Sequence, residues 1–254
     1  TQVDLTQPWT CLIAGVGGTG VLTVGALLAM AAHIEGKGFA TMNQTGLAQK
    51  FGAVVSHLKV AARQADIHAV RVAERQSQLL IGCDLVVAAN DETLTKLHPM
   101  TCSSVLNTHE SITSEFIQNP DFKISTDGLT QAVRSAVPDE RLFAVDASDY
   151  ATRLLGDAMG ANLFLVGIAY QQGLLPLSGP ALEKAIEVNG VAIEMNRQAF
   201  EWGRRYVHQR DRVDALVHDE EPARLIDVDD IVKDRMMRLV DYQSEDYAQA
   251  YVSQ

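Results

Sequence analysis

Six residues near the start of the chain, GVGGTG from Gly15 to Gly20, could do chemistry through their backbone alone. They fit GxGxxG, in which glycines let a strand turn tightly into a helix and leave main-chain amides at the helix's positive end. Such amides can hold an anion, for instance a coenzyme phosphate. The same glycines also serve turn geometry and close packing of helix on sheet with no ligand at all. Both uses are open for Gly15, Gly17, Gly18, Thr19 and Gly20. A dinucleotide would need more: an acidic residue at the end of the second strand for the ribose, or an arginine for a 2′-phosphate. FATMNQTG, Phe39 to Gly46, offers neither, and the extra Gly18 widens the turn. Both features speak against an independent NAD- or flavin-binding dehydrogenase.

The second chemically distinctive stretch is NQTGLAQKFGAVVSHLKVAA, where Asn43, Gln44, Thr45, Gln49 and Lys50 cluster between two predicted strands. At the edge where α/β sheets bind ligands, such a cluster lines a cleft, with Gln49 and Lys50 as cofactor-facing candidates. The competing reading is a solvated connection. His57 within a strand reads as a satisfied core or interface histidine, and His109 in NTHES as a strand-end cap. Cys11, Cys83 and Cys102 have no CxxC spacing. They read as small buried hydrophobes that hold neither zinc nor an iron–sulfur cluster, and they point to a reducing compartment. The residues thus assign no catalytic side chain and no metal ligand.

These groups must be positioned by alternating strands and helices. CLIAG, FATMN, VVSHLKVA, DLVVAAN, SVLNT and LFAVDA read as strands, with Gly20 to His33 as the first helix. Continuous apolar runs separated by helices predict an α/β fold: a mostly parallel, Rossmann-like three-layer sheet with helices on both faces. VVSHLKVA and DIHAVRV are candidates for an antiparallel pair at one edge. The first helix, LTVGALLAMAA, is apolar nearly all round and is expected to pack against a neighbouring domain or subunit. Asp91 and Ser178 are predicted N-caps, and Gly173 and Asn189-Gly190 predicted stops.

The chain has 254 residues, 47% of them hydrophobic, so it can bury a full core. A formal net charge of -11 offers nucleic-acid phosphates no basic stripe. The opening TQVDLTQPWTC lacks the pattern of a secretion signal, and no apolar run is long enough for a membrane span. The expectation is a cytoplasmic protein, and an internal piece of a longer one. After Tyr206 the composition turns charged, which places a boundary near 207. Residues 1–207 form the main domain, and 208–254 a linker and C-terminal helical extension. The apolar side of that last helix, Val232, Met236, Leu239, Val240, Tyr247 and Tyr251, needs a partner surface, either its own domain or a second copy in a homodimer.

Three segments in order, LIAGVGGTGVLTVGALLAMAAHIEGKG, TGLAQKFGAVVSHLKVA and IEVNGVAIEMNRQAFEWGRR, resemble the gamma domain of 2-oxoacid:ferredoxin oxidoreductases, nearest the long fused indolepyruvate type. The likeness runs over nearly the whole chain, and LVDYQSEDYAQAY resembles the start of the region that follows that domain. It implies an enzyme that decarboxylates a 2-oxoacid on thiamine diphosphate and magnesium, passes electrons through iron–sulfur clusters to ferredoxin, and releases an acyl-CoA. For the indolepyruvate branch the substrates are arylpyruvates. This chain has neither a GDG…N diphosphate motif nor cysteine clusters. No cofactor is therefore expected in this domain alone, and the isolated domain is expected to be inactive. Its partners would be the other domains of the oxidoreductase, and ferredoxin through them. Its own part would be to complete the assembly and help seat coenzyme A. One departure from the family pattern is Phe51 before Gly52, where two glycines are usual. The rival reading is a non-catalytic module that organises partner domains.

Overall fold

The computed structural model describes residues 3–46, 52–109, 126–218, 235–240, 244–245 and 249. The apolar run around Cys11 becomes β1 (Trp9–Val16), buried on both faces until its last residue. The glycine turn then feeds α1 (Val21–Ile34), followed by β2 (Gly38–Thr45) and β3 (Ala53–Ala61). Next come β4 (Leu79–Gly82) and two one-turn helices, α2 (Leu85–Ala88) and α3 (Asp91–Leu94). β5 (Ser103–Asn107), α4 (Thr126–Ala136) and β6 (Leu142–Val145) follow. The described helices continue with α5 (Ala147–Leu155), α6 (Ala161–Gln171), α7 (Gly179–Asn189), α8 (Ile193–His208) and α9 (Arg210–His218).

The strands lie in the order β2-β3-β1-β4-β5-β6. β1, β4, β5 and β6 are parallel neighbours, while β3 runs antiparallel to both β1 and β2. One apolar cluster, with Ile13, Leu28, Phe164 and Phe200, fills the face under α1, α6, α7 and α8. A second, with Leu12, Leu80, Leu106 and Val133, fills the opposite face under α2 and α4. This is the expected three-layer α/β architecture. Residues 1–217 form one compact unit and 218–254 another. Among the described residues, no helix is long and apolar enough to cross a membrane.

Several local expectations change. DLVVAAN is not a strand. The buried strand is the preceding LLIG, and Asp84 then caps α2 by accepting the Val87 amide at 3.0 Å. Short apolar runs look alike as buried strand or buried helix, and here the cap decides. β3 is antiparallel as expected, but its partners are β1 and β2, and DIHAVRV forms no strand. The N-cap of α3 is Asn90 rather than Asp91, while Ser178 caps α7 as expected. Gly190 ends α7 with φ 73°, and Gly173 follows the end of α6 with φ 72°.

The second apolar side of α1 is covered by its own chain. Val24, Leu27 and Leu28 share a small void with Leu163 and Val166 of α6 and Leu182 and Ile186 of α7. Those helices therefore account for most of the burial that the sequence assigned to a neighbour. α6 and α8 cross at two glycines. A Cβ on Gly203 would lie 2.8 Å from the Phe164 carbonyl carbon and closer still to its oxygen. The start of the charged segment after Tyr206 is helical: Val213 and Val217 of α9 are buried, the Tyr150 hydroxyl donates to Asp214, and Arg153 donates to the Val217 carbonyl at 3.0 Å. A polar composition hid two apolar residues one helical turn apart. In the second unit, residues 235–240 are helical; Met236 and Leu239 are half-buried and Val240 is exposed. Val232, Tyr247 and Tyr251 lie outside the described residues.

Candidate functional site

The carboxyl ends of β1, β4, β5 and β6 share one edge of the sheet. At the end of β1 the chain leaves between α1 on one face and α2 on the other, the place where open α/β sheets bind ligands. Gly18 and Gly20 both take φ +89°, a backbone that L side chains rarely adopt, and they aim the turn into α1. Gly15 packs beneath it, where a Cβ would meet Val21 at 2.6 Å and Cys83 at 3.0 Å. The turn is partly self-satisfied: the Gly17 amide donates to the Gly52 carbonyl at 2.8 Å, and the Thr19 amide to Val16 at 3.3 Å. The Thr19 hydroxyl also donates to Val16. Asn162, near the start of α6, donates to the Thr19 carbonyl at 2.6 Å and ties a second helix N-terminus to the loop. Among the described residues, nothing accepts from the amides of Gly18 and Gly20. With the first-turn amides of Val21, Leu22 and Thr23, which precede the helix's first internal bond from Val24 to Gly20, they lie at the positive end of a 14-residue helix.

Beside the loop, Asp84 is buried and committed to its helix cap. Asn107 at the end of β5 donates to the Cys83 carbonyl at 3.3 Å and to the Ser148 hydroxyl at 2.9 Å, which stitches β4, β5 and α5 together. His109 meets both oxygens of Asp146, at 3.0 and 3.2 Å, while Asp146 caps α5 through the Asp149 amide. His109 therefore does tie off the end of a strand. Sequence reasoning missed Asp146 as its partner, since 37 positions separate the two. Among the described residues, surface pockets lie along β6 and between α7 and α8.

The polar segment divides. Asn43, Gln44 and Thr45 belong to β2 itself, while Gln49, Lys50 and Phe51 lie outside the described residues. Gln44 has a structural task. Its side-chain oxygen meets Nε2 of His57 at 2.5 Å, and Nδ1 of His57 accepts the Val72 amide at 3.1 Å. The ring is fully buried, uses both nitrogens, and is the neutral Nε2–H tautomer. Burial, then the positive charges of Lys96 and Arg71, hold its pKa down to about 4. As expected, it is a core histidine.

The three cysteines are free and buried. Burial pushes Cys83 and Cys102 up to about 12 and raises Cys11 as well. Cluster iron needs grouped thiolates, and these separate, neutral thiols do not fit it. Among the described residues, no three His, Cys, Asp or Glu side chains group to hold a metal.

A family model described as pyruvate ferredoxin/flavodoxin oxidoreductase matches residues 10–206. The chain is 24% identical over 198 residues to the indolepyruvate oxidoreductase subunit IorB of Archaeoglobus fulgidus, covering 76% of this chain and 92% of that one. Among solved structures it is similar to a keto/oxoacid ferredoxin oxidoreductase gamma subunit from Geobacter sulfurreducens, with TM-score 0.53, 18% identity, and coverage of 77% of this chain and 95% of that one. It also resembles part of a 2-oxoglutarate:ferredoxin oxidoreductase from Magnetococcus marinus, with TM-score 0.57, 14% identity, and coverage of 86% of this chain and 32% of that one. Both structures speak for the fold alone.

Proposed function

The chain belongs to the pyruvate ferredoxin/flavodoxin oxidoreductase family, and from that premise we propose that it is the gamma component of an indolepyruvate-type 2-oxoacid:ferredoxin oxidoreductase. The reaction is oxidative decarboxylation of an arylpyruvate to an acyl-CoA, with electrons passed to ferredoxin. The observation that carries this reading is the family match over residues 10–206, joined to an IorB relative that the chain spans almost whole. Thiamine diphosphate, magnesium and iron–sulfur clusters belong to the partner components; the buried, separated thiols here do not fit cluster ligation. When bound, coenzyme A supplies the thiol that accepts the acyl group. The chain's own share is to seat one of its phosphates on the amides of Gly18 and Gly20, and Gln49 and Lys50 are the further candidates that the sequence offers for it. Residues 208–254 would join this domain to the rest of the enzyme, in the cytoplasm.

The geometry disfavours the dehydrogenase alternative. In a dinucleotide-binding sheet, parallel β2 lies beside β1 and presents its end to the ribose. Here antiparallel β3 takes that place and β2 lies one strand farther out. The assembled enzyme containing this chain, purified and supplied with coenzyme A and ferredoxin, tests the proposal. Indolepyruvate and phenylpyruvate should support ferredoxin reduction in preference to pyruvate and 2-oxoglutarate. Preference for an aliphatic oxoacid would overturn the arylpyruvate assignment. Unchanged turnover when this chain is left out would favour a module that only organises the assembly.

A further inference from the structure

Asn162 is a polar side chain in an otherwise apolar run. Every residue from Ala161 to Ala169 of α6 is buried, and apart from Asn162 all of them are apolar. A carboxamide buried in such a run costs stability unless it is hydrogen-bonded. Asn162 is 8% exposed and does not cap its own helix, which starts at Gly160 without a side-chain cap. Among the described residues, its side chain makes one hydrogen bond. It crosses to the glycine turn, where Nδ2 donates to the Thr19 carbonyl at 2.6 Å. A Cβ on Gly20 would lie 3.3 Å from that nitrogen, so glycine at this place also leaves room for the bond.

That bond sets the direction of a second group. The Thr19 carbonyl and the Gly20 N–H belong to one planar trans peptide, so they point in opposite directions. With the carbonyl turned to α6, the Gly20 amide is turned away from it. The amides of Val21, Leu22 and Thr23 are aimed by the helix that they begin. The Gly20 amide belongs to the turn and has no such constraint. Gly20 takes φ +89°, and glycine adopts either sign of φ about equally well. Thr19 is anchored through its amide and hydroxyl, both donated to the Val16 carbonyl, so the peptide after it is the one free to turn over. Turned over, it would present a carbonyl instead of an N–H on the side away from α6, and a carbonyl there repels a phosphate.

We propose that Asn162 is a positioning residue for coenzyme A: it holds the Thr19–Gly20 peptide in the orientation that offers the Gly20 N–H to a phosphate. This rests on the coenzyme A reading given above. Asn162 touches no phosphate itself and acts only through the Gly20 amide. Its carboxamide donates to a carbonyl, and that donor is what selects this orientation. Asn162→Asp reverses the choice, because a carboxylate only accepts and draws the Gly20 N–H back toward α6.

Two variants separate orientation from binding. Asn162→Asp keeps the side chain's shape, and a carboxylate in the first turn of α6 suits the positive end of that helix, so the fold is kept. NMR on the full-length chain, isotope-labelled at glycine, reads the orientation without any ligand. The Gly20 amide proton should exchange rapidly with water in the wild type and about tenfold more slowly in Asn162→Asp. Asn162→Leu removes the donor without adding charge. In the assembled enzyme it should raise KM for coenzyme A about tenfold and leave kcat at saturating coenzyme A unchanged. Equal exchange of the Gly20 amide in wild type and Asn162→Asp would overturn the positioning role and leave the coenzyme A seat standing. Slowed exchange in Asn162→Asp with an unchanged KM in Asn162→Leu would remove the seat itself, and the role with it. A loss of kcat in Asn162→Leu as large as the rise in KM would mark Asn162 as packing alone and equally overturn the proposal.

Discussion

Acid should weaken this fold through one buried ring. His57 is held neutral first by the burial of its ring and then by the charges of Lys96, Arg71 and Lys59, with Glu92 the opposing charge, while its Nδ1 accepts the Val72 amide. A proton on Nδ1 would set two donors face to face in a site without water access. The pKa is therefore depressed from 6.5 to about 4 in the folded chain. The sign follows: between those values the unfolded chain binds the proton and the folded chain does not. The stabilisation from a neutral His57 is complete above pH 6.5, falls as pH drops toward 4, and is lost below it. At about pH 5 the loss relative to pH 7 is about 2 kcal/mol, and the full loss is roughly 3 kcal/mol. For a domain of this size, 2 kcal/mol lowers Tm by about 4–8 °C. Urea unfolding followed by circular dichroism across this range, on wild type and His57→Gln, isolates the effect. Glutamine keeps a donor and an acceptor but does not titrate, so its curve should be flatter by that amount even if its stability is lower at every pH. Parallel pH dependences for the two proteins would refute the reasoning, as would a His57 ring that titrates near 6.5 in NMR.

Gly203→Ala should cost roughly 3 kcal/mol or more, because its new methyl would meet the Phe164 backbone rather than a movable side chain; thermal unfolding measures this, and a loss under about 1 kcal/mol would mean the two helices part easily. Gly18→Ala meets nothing within 4 Å, so its cost is backbone strain of about 1–2 kcal/mol at positive φ. If the Gly18 amide serves coenzyme A, the same variant should weaken its binding to the assembled enzyme by about tenfold; an unchanged KM for coenzyme A would confine the loop to packing. The purified chain should be colourless and turn over no indolepyruvate when given thiamine diphosphate, coenzyme A and an electron acceptor. Activity above a protein-free control would contradict the assignment of that chemistry to partner components.

The sequence by itself determined the α/β class, the glycine turn into α1, the burial of the three cysteines and most strand positions. Each depends on local periodicity or on a few adjacent residues. The three-segment likeness to a known family was equally legible, since segment order needs no coordinates. Other features depended on distant parts of the chain. Whether DLVVAAN was strand or helix turned on one Asp84 cap. Whether the apolar girdle of α1 faced a partner or its own α6 and α7 depended on residues more than 130 positions downstream. The pairing of β3 with β1 and β2, which moves β2 away from the ribose position, is invisible to any local pattern. So is the meeting of His109 with Asp146, and of His57 with Gln44 and Val72. Periodicity tells a side chain which face to bury; only the packed sheet decides what that face meets.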